Sequence, residues 1–208
     1  MGFLDALLGR TKPVAANLDR LFRLPGARIT LEASESLVPT GQAGVCFKPA
    51  TGSSFASAEA EIAAILELDD GDGTGAAAGR PVRSRLDERT DGYGYRWVVL
   101  DSPDFDNLVT RAHFVNSTLN EHGWGPQLLC SAFGFARGSS EQGAPAPGPA
   151  SIYVVYLYKR GTFYPFVPVG HERRDNEAEL RLKAELSGDL AIEPELDRWF
   201  PIWELPVH

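Results

Sequence analysis

With 208 residues, 43% of them hydrophobic and 23% charged, the chain has the composition of an ordinary globular protein and is long enough to bury a sizeable core. Its net charge of -8 has the wrong sign for nucleic acid, whose phosphates demand a basic footprint, and for broad docking on an anionic membrane face. No apolar run approaches the ~20 residues a membrane helix requires, and no basic start followed by a long apolar core marks a secretory signal, so a cytoplasmic location is expected.

In chain order, Gly2 to Gly9 reads as a short amphipathic helix with Phe3, Leu4, Leu7 and Leu8 on one side. Alone it is too short to be stable in water, so it must dock on its own domain, a partner helix or a membrane surface. Arg10 and Lys12 follow at once, as at a membrane interface. The start is only part of a myristoylation signal, because Ala6 stands where Ser or Thr is needed. Asn17 to Leu24 reads as a second short helix stopped by Pro25-Gly26, and Arg28 to Ala33 alternates polar and apolar as a half-buried strand does. Pro39-Thr40-Gly41 reads as a turn and Gly44 to Phe47 as the returning strand, which together predict a hairpin. Ser53 or Ser54 then caps a helix whose apolar positions are Phe55, Ala58, Ile62, Ile65 and Leu66.

From Asp69 to Arg80 the composition shifts to Asp, Gly, Thr and Ala, and from Gly138 to Pro149 to Pro, Gly and Ser; both read as long surface loops inside a single domain. Between them lies the best-marked unit of the chain. Tyr95 to Leu100 is a strand, Phe105 to His122 a helix, and Leu128 to Phe135 another strand. Ser102 is the expected N-cap, Pro103 the first helical residue, and Gly123 the left-handed residue that ends the helix. Phe105, Leu108, Val109, Ala112, Val115 and Leu119 form one stripe that needs a sheet to lie on. Asn116 falls on that stripe, either at its rim or as a buried amide with a dedicated partner.

Ser151 to Tyr158 is apolar on both faces, as an interior strand is. Arg160-Gly161 reads as a two-residue hairpin turn, and Phe163 to Val169 returns as a strand that Pro165 and Pro168 push to a sheet edge. Glu177 to Leu186 is a helix with Glu177/Arg181 and Glu179/Lys183 at supportive spacing. The terminal stretch from Trp199 to Val207, with Phe200, Ile202, Trp203 and Leu205, is aromatic enough that it must pack on the body or on a partner.

Few side chains carry a chemical signal. Asp70-Gly71-Asp72-Gly73 resembles the first half of a calcium loop, but the twelfth position is Pro81 and not the required Glu. Gly73 to Ala78 resembles a dinucleotide loop with no helix after it. Asp106, His113 and Ser117 share one helix side away from the apolar stripe, which is the spacing of a solvated face. The four histidines show no metal spacing, and Cys46 and Cys130 sit in apolar strand-like runs as small hydrophobes. Lys159-Arg160, at a hairpin tip beside Thr162 and Tyr164, is a weak anion-binding candidate. No cofactor, metal or enzymatic activity is expected from these patterns.

Three segments carry a family resemblance: Met1 to Pro13, Trp97 to Phe105 and Tyr158 to Phe166. They resemble the PspA-associated protein PspAB family across nearly the whole chain apart from the two Gly-rich loops. The resemblance implies a cytoplasmic accessory of a phage-shock envelope-stress system, with PspA or a related membrane-stress protein as partner and a possible peripheral contact with the inner membrane. The order helix, three strands, helix from Phe105 to Leu186 also resembles the YbjN and secretion-chaperone fold, whose members usually bind other proteins. The expected fold is one α+β domain, an antiparallel sheet with helices mainly on one face. The expected partner contacts are Phe3, Leu4, Leu7 and Leu8, or Trp199, Phe200 and Trp203. Two alternatives stand beside this: a small-molecule-binding or hydrolytic pocket near Lys159, Arg160 and Tyr164, and a homodimer formed through the sheet edge after Thr162.

Overall fold

Pro25 opens a helix where the sequence reading had it close one. In the computed structural model, which describes residues 17–49, 56–57, 60–64, 83–87, 94–138, 151–203 and 205–207, a 3-10 turn over Leu18–Arg23 runs directly into helix α1, Leu24–Glu35. Pro25 lies in the first turn, where the missing N–H costs no hydrogen bond. Leu21, Leu24, Ala27 and Leu31 recur at helical spacing and are all buried, while Ile29 is 61% exposed. The alternation at Arg28–Ala33 that suggested a strand is incidental, and the predicted hairpin does not form. The helix ends at Ser36, which takes a left-handed φ of 55° and returns its N–H to Glu32 O.

Strand β1, Leu37–Phe47, continues straight through Pro39-Thr40-Gly41, so the expected turn there is a bulge within a strand. Among the described residues the further strands and longer helices are β2 (Arg83–Asp87), β3 (Arg96–Asp101), α2 (Phe105–Glu121), β4 (Leu128–Arg137), β5 (Ile152–Leu157), β6 (Thr162–Phe166) and α3 (Asn176–Leu186). They form a six-stranded sheet in the order β2-β3-β1-β4-β5-β6, antiparallel at every pairing. The α+β architecture expected from the sequence is the one observed. Residues 56–57 and 60–64 are helical, and Ile62 is buried. The loop readings at Asp69–Arg80 and 139–149 lie outside the described residues.

Period-2 alternation splits the strands between two cores. Ala43, Val45, Val98, Leu100, Phe133, Phe135, Val154 and Phe163 face α1, α2 and α3. Cys46, Trp97, Cys130, Ala132, Tyr153, Val155, Tyr164 and Phe166 face the other way, where the C-terminal stretch covers them. Helix α2 is capped by Asp104, whose Oδ1 accepts from the N–H groups of Asp106 and Asn107; Ser102, the expected cap, accepts from Asp104 N instead. Gly123 has φ +85° just beyond the helix, as expected. In α3, Glu179 turns inward to Arg174, and Arg181 pairs with Glu35 of α1 at 2.8 Å, so neither expected pair along the helix surface forms.

The turn between β5 and β6 holds four residues, Tyr158 to Gly161, with the N–H groups of Arg160 and Gly161 both returning to Leu157 O. Strand β6 is an edge, as its prolines suggested, but it is a covered one. Phe163 gives its N–H to Ala191 O and accepts from Glu193 N, Pro165 has no N–H, and Val167 N donates to Glu179 Oε1. This edge is therefore closed to the second copy that the sequence reading placed there.

Candidate functional site

A stretch as aromatic as Trp199 to Val207 is driven onto the nearest unprotected apolar surface, and here that is the sheet face opposite the helices. Trp199 is buried and stacks on Tyr164 with ring centroids 5.9 Å apart. Three hydrogen bonds tie the backbone of the stretch to the body: Tyr164 Oη to Phe200 O at 2.8 Å, Arg174 Nη1 to Trp199 O at 2.6 Å, and Tyr153 Oη to Val207 O at 2.9 Å. Each contributes about 1 kcal/mol net, and burial of Trp199 and Val207 adds roughly 2 kcal/mol apiece. Val207 is fully buried on β1 and β4 where two residues lack side chains. A Cβ on Gly44 would lie 3.0 Å from Val207 Cγ2, and one on Gly134 3.3 Å from Val207 Cγ1.

The stretch does not close over the whole face. Between Phe200–Trp203 and the sheet runs an open groove of about 520 Å³. Its floor is a row of residues paired across strands: Trp97 on β3, Cys46 on β1, Cys130 on β4 and Leu157 on β5. Leu129 joins this floor because of a bulge. Phe47 pairs with Leu128 and Cys46 with Cys130, so Leu129 is the extra residue, re-aimed into the groove. Tyr95 lies at the β3 end. At the β6 end lie Tyr164 and three cations, Lys159, Arg160 and Arg198, and no described carboxylate lines the groove.

The carboxylates sit behind those cations. Glu193 is fully buried; burial pushes its carboxyl up, but Arg160 Nε at 2.5 Å, Thr162 Oγ1 at 2.7 Å and the N–H of Glu195 more than offset this and hold it below the usual range. Glu195 bridges Arg160 and Arg198 from the solvent side. The opposite balance holds at Glu179, where burial outweighs the hydrogen bonds from Arg174 and Val167 N and raises the carboxyl. Burial also drives the Tyr164 phenol well above its usual range, so it stays protonated and serves as a donor. Lys159 is exposed and has no carboxylate partner among the described residues.

A family model for PspAB, PspA associated protein B, matches residues 1–207. The chain belongs to that family. No curated protein and no solved structure matches it.

In this PspAB family member the residues singled out from the sequence separate into three groups. Phe3, Leu4, Leu7 and Leu8 lie outside the described residues. Trp199, expected to meet a partner, is only 4% exposed and anchors its own chain, whereas Phe200 is 59% exposed and joins the partly buried Trp203 on the groove wall. Lys159, Arg160 and Tyr164 do meet at one groove, but Arg160 is paired with Glu193 and Glu195, so among the described lining residues Lys159 is the cation left without a carboxylate. The hydroxyl of Ser117 donates to the carbonyls of His113 and Phe114, and His113 packs on Phe22 beside Asp19, so among the described residues Ser117 and His113 are not hydrogen-bonded to each other through their side chains. Asn116 resolves to the buried alternative. Its Nδ2 donates to Ala112 O and to Tyr158 Oη, which shares a second hydrogen bond with Ser131, and burial raises the Tyr158 phenol well above its usual range. Cys46 and Cys130 are both buried, as expected. What sequence reasoning missed is that they are cross-strand neighbours on the groove floor. Register was the needed signal, and it depends on the bulge at Leu129. Among the described residues no group of three histidine, cysteine or acidic side chains is placed to hold a metal, and no helix is long and apolar enough to cross a membrane.

Proposed function

We propose that this chain is a non-enzymatic accessory of a PspA-type envelope-stress response that works by binding PspA or a related membrane-stress protein. Family membership carries this reading, since the family is described by its association with PspA. An open apolar groove with no carboxylate among its described lining residues supports it, because such a surface favours binding over proton transfer. The contacts are Phe3, Leu4, Leu7 and Leu8, which lie outside the described residues, or Phe200 and Trp203 on the groove wall. Either set of apolar side chains suits an amphipathic helix as partner. A cytoplasmic location with peripheral contact at the inner membrane belongs to the same proposal.

Co-expression with PspA and recovery on one affinity tag tests it. Wild type recovers PspA. Loss on Leu4→Asp/Leu8→Asp assigns the contact to the N-terminal segment, and loss on Phe200→Asp assigns it to the groove wall. No recovery by the wild type sinks the proposal.

The groove itself favours a second reading: a small-molecule-binding protein whose site is bounded by Lys159, Arg160 and Tyr164. A saturable thermal shift with a metabolite, lost in Lys159→Ala/Arg160→Ala, supports that reading.

A further inference from the structure

The groove has a length and a polarity that specify what fits it. Its lining comes from five neighbouring strands, β3, β1, β4, β5 and β6, which is four strand spacings of ~4.8 Å, or roughly 19 Å from end to end. Along that length the floor and wall are apolar or aromatic, from Trp97 through Leu129 and Leu157 to Phe200 and Trp203. Among the described lining residues all the charge lies at the β6 end. There Lys159, Arg160 and Arg198 face two carboxylates, Glu193 and Glu195, so the cluster carries one excess positive charge on a chain of net charge -8. Lys159 is that excess.

The backbone narrows the choice further. The floor is the face of a hydrogen-bonded sheet, whose N–H and C=O groups point along the sheet and not out of it. An extended peptide laid there would bury its own amides with nothing to bond them, at a cost of about 1–3 kcal/mol each. A hydrocarbon chain has no such groups and gains from every methylene removed from water.

We propose that the groove binds a single-chain anionic amphiphile, with its acyl chain along the row from Leu157 to Trp97 and its carboxylate or phosphate headgroup at Lys159. This rests on the second reading above, that the groove takes a small ligand, and it names the ligand's class. Arg160 and Arg198, held by Glu193 and Glu195, wall the mouth, while Lys159 supplies the net positive charge and reaches the headgroup. The aromatic side chains of Trp97 and Trp203 flank the chain and report its arrival.

The test is displacement of the neutral dye N-phenylnaphthylamine from the full-length protein, followed by dye and tryptophan fluorescence below the micelle threshold of each competitor. Oleate and lysophosphatidate supply the two headgroups, monoolein is the uncharged control and inorganic phosphate the headgroup without a chain. Dye binding lost in Leu129→Arg, with the circular dichroism spectrum retained, places the dye in this groove. Displacement by oleate or lysophosphatidate, with monoolein and phosphate at least tenfold weaker and Lys159→Glu weakening the anionic ligands at least tenfold, supports the proposal. The better of the two anions identifies the headgroup. If the dye binds in the groove but neither anion displaces it, or monoolein competes equally and Lys159→Glu changes nothing, the ligand class is wrong while the small-ligand reading stands. If the dye does not bind, or binds unchanged in Leu129→Arg, the groove takes no small apolar ligand and both fail.

Discussion

Gly44 yields its side-chain space to Val207. The missing Cβ would lie 3.0 Å from Val207 Cγ2 and 2.9 Å from Trp97 Cε3, so the seat of the C-terminal stretch is made by an absence in β1. No positive φ is involved at this glycine, and the constraint is purely steric. Gly44→Ala is therefore expected to cost about 1–3 kcal/mol, the usual range for overpacking, and to raise the solvent exposure of Trp97. Urea denaturation and acrylamide quenching of tryptophan fluorescence measure the two effects; an unchanged midpoint with unchanged quenching would show that the seat has slack.

A second prediction concerns the buried hydroxyl of Tyr158. It joins Asn116 of α2 to Ser131 of β4, so removing it leaves the Ser131 hydroxyl without that partner and Asn116 with its bond to Ala112 O alone, both in the main core. Tyr158→Phe is expected to destabilise by about 1–3 kcal/mol, and adding Ser131→Ala to recover part of that by removing one stranded partner. Denaturation of the single and double variants checks the sign of the coupling.

Acid stability depends on Glu193 and Glu179 in opposite senses. The Glu193 carboxyl is held below its ordinary value in the folded chain, so the unfolded chain binds the proton first. Its stabilisation is present above the ordinary carboxyl range and is lost as pH falls through and below it. The raised Glu179 carboxyl takes its proton first in the folded chain, so its contribution improves as pH falls through the window above the ordinary value. Between about pH 3 and pH 6, Glu193→Gln should flatten the acid loss and Glu179→Gln should steepen it. Urea midpoints across that range decide; identical slopes in all three proteins would refute the assignment.

Helix α2 offers a clean comparison between neighbouring candidates for its cap. Asp104 accepts from two first-turn N–H groups, whereas Ser102 only accepts from the N–H of Asp104. Asp104→Ala is expected to cost ~1 kcal/mol and Ser102→Ala less, as read from thermal or urea midpoints. The reverse order would restore Ser102 as the cap.

These particulars show which parts of the structure were readable from the chain alone. The stripe of α2, the doubly buried β5 and the edge position of β6 were legible because each is declared by nearby residues. The Arg28–Ala33 error arose where two periods coexist: Ile29, Leu31 and Ala33 alternate, but Leu24, Ala27 and Leu31 follow the helix, and burial decided between them. Pro25 misled for a related reason, since the same residue that stops one helix can begin another. At Pro39–Gly41 tertiary pairing to β4 overrode turn chemistry, at the cost of a bulge. The cationic corner of the groove was visible as Lys159, Arg160 and Tyr164, which lie within six residues of one another. The remainder was not, because Trp97, Cys46, Cys130 and Phe200 meet only through strand order and register, which no local window contains.

The covered margin of β6 has one more consequence. With Phe163 and Val167 bonded to their own chain and Pro165 lacking a donor, this side of the sheet cannot act as a template on which neighbouring molecules extend a growing polymer. A crowded pool of these molecules is protected there from seeding fibres by the same short segment, Ala191 to Glu193, that leads into the groove wall.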